Sequence, residues 1–135
     1  MNDSAWAAGF VDGEGCISLT SHRTLVLRVS QKDLRPLRKL KEMFGGSIRP
    51  QKPTGCAQWY LSSAYAVAAI QQMLPFLILK REQADVALLW ASQPWRQVGI
   101  LRGKRRRLTQ EEKDSDDIFI DRLSSLKRDY DVYYE

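Results

Sequence analysis

Apolar and polar positions along the chain follow two periods, one near four residues and one of two, and they alternate in blocks. Residues 4–14 form the first block, where Ala5, Gly9 and Gly13 recur every fourth position. That spacing predicts a helix with side chains of almost no volume along one stripe. Asp3 or Ser4 is its N-cap and Gly15 its stop. Residues 16–20 alternate, with Ile17 and Leu19 inward and Ser18 and Thr20 outward. After a turn at Ser21, His22 and Arg23, residues 24–30 alternate again, with Leu25, Leu27 and Val29 inward and Val26, Arg28 and Ser30 outward. Residues 33–44 return to helical spacing, with Pro36 in the first turn and Gly45-Gly46 at the end. Residues 47–51 and 58–61 predict a second hairpin across a Pro/Gly/Thr turn. Residues 64–74 and 81–91 then predict two helices, the first closed by Pro75 and the second carrying Ala84, Ala87, Leu88 and Ala91 at helical spacing.

The pattern changes after Gln93. Residues 94–108 hold a proline, two glycines and the run Lys104, Arg105, Arg106 and Arg107, which predicts a basic surface segment. Thr109 and Glu112 have the spacing of a capping box and open a last helix over about 109–130, with Ile118, Leu123 and Leu126 on its apolar side. Helix, hairpin, helix, hairpin and further helices occur once, without internal repeat. The expectation is one α+β domain over 1–135, its core at about 4–92.

Composition adds little to the fold. Hydrophobic residues are 44% and charged residues 27%, ordinary for a soluble globular protein. The net charge of +5 leans toward a polyanionic partner. Cys16 and Cys56 match no zinc or redox spacing and suit a reducing compartment as buried small residues. No apolar run is long enough to span a bilayer and no leader pattern opens the chain, so a soluble, intracellular protein without a membrane partner is expected. A bacterial or phage cytoplasm is not distinguished from an organelle.

Chemistry concentrates at the end of the first helix. Glu14 lies in the last turn, at the negative end of the helix dipole, which disfavours its charge. A divalent cation would compensate. The small-residue stripe beside it would let a second helix approach backbone to backbone.

The segment Ala7-Ala8-Gly9-Phe10-Val11-Asp12-Gly13-Glu14-Gly15 resembles the motif of the LAGLIDADG homing endonucleases. Two later segments resemble that family too: Ser30-Gln31-Lys32 with Arg35, and Pro75-Phe76-Leu77-Ile78-Leu79-Lys80. The resemblance covers roughly residues 5–92. It implies a curved antiparallel sheet saddling DNA, helices on the opposite side, and a dimer through the motif helix at Ala5, Ala8, Gly9, Asp12 and Gly13. Glu14 takes the place of the metal-binding acid, with Gly13 beside it, and Asp12 is structural. Gln31, Arg35 and Lys80 would surround the reacting phosphate. The chain departs from the family's pattern at Ala7, where a leucine is usual, at Glu14, where an aspartate is usual, and at Pro36 directly after Arg35.

The implied activity is Mg²⁺-assisted hydrolysis of both strands of a specific DNA site. Mg²⁺ takes oxygen ligands and only one or two carboxylates, and two ions can serve an in-line displacement. One Glu14 per chain is too few for such a site, so a homodimer on a long, roughly palindromic duplex is expected. A two-stranded ribbon fits the major groove, and the outward set that would meet base edges is Ser18, Thr20, Arg28, Ser30, Ser47, Arg49, Gln51, Gln58 and Tyr60. His22 and Arg23 would reach DNA from the turn, and the 104–107 run would hold phosphates. The family's genes typically sit in introns or inteins. The alternative is a non-cleaving nucleic-acid binder on the same scaffold, such as an RNA maturase with intron RNA as partner. A helix-mediated dimerisation module without nucleic acid is a second. Plainer readings also stay open: a solvated lysine or arginine at 35 and 80, a strand-end hydrogen bond at Gln31, and outward strand faces that simply meet water.

Overall fold

The computed structural model describes residues 3–93 and 108–128. Helix α1 (Asp3–Glu14) runs without a loop into strand β1 (Gly15–Leu19), which pairs with β2 (Leu25–Gln31). Helix α2 (Leu34–Phe44) leads to β3 (Ser47–Gln51) and β4 (Cys56–Ser62). Helix α3 (Ser63–Met73), a single 3₁₀ turn (Leu74–Phe76), α4 (Arg81–Ala91) and α5 (Gln110–Arg128) complete the described chain. Both hairpins form where alternation predicts them. The basic residues Lys104, Arg105, Arg106 and Arg107 lie outside the described residues.

The four strands make one antiparallel sheet in the order β1-β2-β4-β3, so the two hairpins are joined by pairing β2 to β4. Register builds rows of side chains across the sheet. Ile17, Leu27 and Leu61 form an inward row, and Val29, Trp59 and Ile48 another. Helices α1, α2, α3 and α4 cover this face, and the core gathers Ala7, Ala8, Val11, Leu37, Leu40, Ala66, Ala69, Ile70 and Met73, all fully buried. Alanine at 7, 8, 66 and 69 lets α1 and α3 sit close to the strands, where a larger side chain would hold them off. Trp59 Nε1 donates to the Gly45 carbonyl at 2.8 Å, tying the end of α2 to the sheet. Gly46 follows with φ +89°, and a Cβ there would stand 2.5 Å from the Tyr60 carbonyl oxygen, so only glycine fits that corner.

Asp33 caps α2: its carboxylate accepts the Arg35 amide at 2.9 Å. The capping box of α5 forms in both directions, with Thr109 N–H donating to Glu112 Oε1 at 2.9 Å and Glu112 N–H to Thr109 Oγ1 at 3.2 Å. Helix α5 packs on α4 and on the edge strand β1 through buried Leu123. A second anchor comes from the β1–β2 turn, where Arg23 sits at φ +59° and pairs with Asp116 and Asp117 of α5, each at 3.4 Å.

Three expectations of exposure change. Val26 shares the outward face with Ser18 and Ser62 by register, yet it is only 2% exposed. Ile118 is 68% exposed, and Leu123 and Leu126 carry the apolar side of α5 instead. Both cysteines are free and only half-buried, and by register they stand on the outward face, Cys16 opposite Arg28 and Cys56 opposite Gln51. No helix among the described residues is long and apolar enough to cross a membrane.

Candidate active site and nucleic-acid face

The last turn of α1 is tied to the chain entering α4 by three hydrogen bonds. Asp12 Oδ2 accepts the Ile78 amide at 2.8 Å, and Oδ1 accepts the Lys80 amide at 3.0 Å. In return the Lys80 ammonium donates to the Asp12 carbonyl at 2.6 Å. The local reason is clear from the sequence. Pro75 ends α3 in the 3₁₀ turn, Leu77 plugs the core at 3% exposure, and the chain then needs partners for the amides of residues 78 and 80. Asp12 supplies both. The Asp12 carboxylate is spent inside its own protomer rather than on an outer face.

Lys80 is half-buried beside charged neighbours. Burial holds its pKa below the ordinary lysine value, with the Lys127 charge adding to that depression; Asp12, Cys16 and Glu14 oppose it. Glu14 itself is exposed at the end of α1. Gln31 ends β2 and is half-buried. Gly15 pairs with Val29, so the antiparallel register carries Gln31 to the end of the sheet where α1 enters β1. The fold therefore gathers Glu14, Gln31 and Lys80 at one end of the molecule.

Arg35 engages an acid just before its own helix. Its guanidinium is forked onto Asp33, with Nε 3.0 and 3.1 Å from the two carboxylate oxygens and Nη2 at 2.6 Å from Oδ2. The pair holds the Asp33 carboxyl at about 2 and raises Arg35 further. Both groups of this pair are exposed at the surface.

The outward rows of the sheet form a polar face. Cys16, Arg28, Tyr60 and Ser47 share one row, and Ser30, Gln58 and Arg49 the next, with Gln51 beyond. The Arg49 guanidinium lies over the Tyr60 ring, 5.1 Å from its centre, which braces the side chain without using its donors. Thr20 closes the turn, its hydroxyl accepting the Thr24 amide at 3.2 Å, and His22 is exposed there. Arg23 does not belong to this face: its pairing with α5 turns it to a structural use.

Sequence reasoning missed Lys127. Its ammonium reaches Ser18 Oγ at 3.0 Å and Cys16 Sγ at 3.5 Å, and Arg28 Nη2 donates to the same Ser18 oxygen at 3.4 Å. Burial works to raise the Cys16 thiol, yet Ser18, Lys127 and Arg28 together bring it below its ordinary value. One signal was available: Lys127 stands four residues after buried Leu123, on the same helix face.

Along α1, Gly9 and Gly13 are exposed, and a Cβ added to either meets nothing within 4 Å. Half-buried Ala5 continues that stripe, and Trp6 stacks on Phe10 beside it at 5.6 Å. Ala8 is fully buried in its own protomer and is unavailable to a second helix. Among the described residues no three His, Cys, Asp or Glu side chains converge as a metal site.

The sequence model described as LAGLIDADG endonuclease matches residues 7–79, more than half of the chain. Solved structures agree in fold. The homing endonuclease I-CvuI in complex with a DNA target in the presence of magnesium is 24% identical, with 90% of this chain and 94% of that one covered and a TM-score of 0.59. The homing endonuclease I-TnaI is 18% identical over 93% of this chain and 96% of that one, with a TM-score of 0.62. The meganuclease I-AabMI bound to uncleaved DNA is 23% identical over 92% of this chain but 43% of its own length, with a TM-score of 0.60. No curated protein sequence matches the chain.

Proposed function

Because this chain belongs to the LAGLIDADG endonuclease family, we propose that it cuts double-stranded DNA at a specific site, as a homodimer with Mg²⁺. One observation carries the reading: the end of α1 that exposes Glu14 is bonded three times to the segment that delivers Lys80. An acid and a cation held on one rigid tip suit a phosphodiester, whose hydrolysis needs a bound cation on one side and charge neutralised on the other.

The donor set fits half of a metal site. Each chain offers the exposed Glu14 carboxylate, next to the backbone of exposed Gly13, both hard oxygen donors of the kind Mg²⁺ prefers. A second copy packed on the Ala5, Gly9 and Gly13 stripe would bring a second Glu14 beside the first. When bound, Mg²⁺ would lower the pKa of an attacking water and neutralise the leaving oxygen. The chain's own groups act around that centre. Lys80 spends one donor on the Asp12 carbonyl and keeps two for the developing negative charge. Gln31, with an amide that both donates and accepts, orients a water. The outward rows through Gln58 and Arg49 lie against base edges and fix the register of the cut. I-AabMI, covered over less than half its length by this chain, has room for two such units, in keeping with one half-site per copy.

The test is cleavage of a pooled library of long, symmetric duplexes in Mg²⁺, with the Glu14→Gln variant in parallel and binding followed separately in Ca²⁺. Defined double-strand cuts by the native protein, lost in Glu14→Gln while binding persists, are expected. Shifted DNA with no cut from either protein would overturn the nuclease and make RNA the next substrate.

A further inference from the structure

At the edge of the sheet next to the α1 tip, two cations converge on one neutral hydroxyl. Lys127 Nζ lies 3.0 Å from Ser18 Oγ, and Arg28 Nη2 lies 3.4 Å from the same atom. Register sets Arg28 opposite Cys16, which is itself 3.5 Å from the Lys127 ammonium. Cys16 is two residues beyond Glu14, about 7 Å along an extended strand. The Lys80 ammonium is within electrostatic reach of Lys127 as well as of Glu14.

Arg28 and Lys127 therefore crowd one end of the sheet, and like charges at such range repel. Ser18 has lone pairs to offer but no charge to balance them. Among the described residues, none of the ion pairs uses Arg28, Lys80 or Lys127; the carboxylates of Asp33, Asp116 and Asp117 are committed to Arg35 and Arg23. The arrangement is also not the loose fringe of a helix end. Leu123, one turn before Lys127, is buried in the core and points this face of α5 at β1. Asp12 and Glu14 answer Lys80. The neutral Ser18 hydroxyl shared by Lys127 and Arg28 leaves donors for an anion that approaches from the outward face of β1, and the DNA backbone is such an anion.

We propose that Lys127 and Arg28 form a phosphate clamp that grips the DNA backbone beside the scissile group, with Lys127 delivered by the C-terminal helix. The clamp rests on the endonuclease reading. It gives α5 a direct part in the reaction rather than a purely scaffolding one.

The experiment compares native protein, Lys127→Met, Lys127→Arg and Glu14→Gln on duplexes enriched from the symmetric library. Lys127→Met keeps the apolar stem, so packing on α5 is preserved, and melting curves of each variant check it. Binding is titrated with salt in Ca²⁺, and single-turnover cutting is measured in Mg²⁺ at saturating protein. The expected result for Lys127→Met is a salt slope smaller by about one phosphate contact and cutting slowed by on the order of tenfold. Lys127→Arg restores the slope. A Lys127→Met protein with native slope and native cutting rate would overturn the clamp, even while Glu14→Gln abolishes cutting and the nuclease stands. A lower melting temperature with an unchanged slope would overturn it too, because a merely structural lysine behaves that way. Native protein that neither binds nor cuts the library would remove the endonuclease reading itself, and the clamp with it.

Discussion

Asp12 serves the site without touching it. Two backbone amides on its carboxylate and one ammonium on its carbonyl make the helix end and the Lys80 segment a single piece. Replacing Asp12 by Ala leaves the amides of Ile78 and Lys80 without their acceptor. The expected loss is about 1–3 kcal/mol of stability by denaturant unfolding, since hydrogen bonds to a charged acceptor are worth that much when partly buried. Cutting should fall further than stability does, because Lys80 loses its bearing; unchanged cutting would mean that Lys80 is positioned by something else. At this scale the sequence is uneven evidence. The places of Glu14 at the end of α1 and of Lys80 just before α4 are legible because each sits in a contiguous segment whose neighbours determine its place. The fork of Arg35 onto Asp33 is not, because alternation and helical spacing do not encode which side chains pair. Arg23 is not either, because its partners Asp116 and Asp117 come from the far end of the chain.

Elements read well wherever their own period decides them. The boundaries of β3 and α4 coincide with the alternation and helical spacing, and Gly45-Gly46 ends α2 as glycine permits. Pairing of β2 with β4 and docking of α5 on β1 are long-range facts, and no local period encodes them. The cap of α2 yields a pH prediction. The Asp33 carboxyl, held at about 2 by Arg35 against an ordinary 3.8, is the depressed case: its contribution to the helix is complete above 3.8 and disappears as pH falls toward 2. Carbon-detected NMR titration should therefore find Asp33 still ionised at pH 3, with α2 amides losing protection only below that. In an Arg35→Ala protein the titration should move back toward 3.8. A midpoint near 4 in the native protein would mean the fork does not persist in solution.

For the molecule as a whole, the decisive feature is the bare stripe on α1. Open space around Gly9 and Gly13 is where a second copy fits on the proposed reading, and a bulky side chain there would stand two helices apart. Gly13→Leu is expected to give monomers by sedimentation while each protomer keeps its fold, since the added side chain enters solvent rather than the core. The same variant should stop double-strand cutting. A Gly13→Leu protein that still sediments as a dimer would relocate the interface.

The pleat of the sheet has one more consequence, and it concerns inheritance. Side chains of the Ser30, Gln58 and Arg49 row lie on the face away from the core, while Leu27, Val29, Trp59 and Leu61 hold the fold from beneath. Mutations in the upper row leave the lower one untouched, so successive generations can exchange those letters without losing a folded protein or, on the proposed reading, its cutting tip. A lineage built this way can follow a drifting target one position at a time, its vocabulary changing while its grammar is kept.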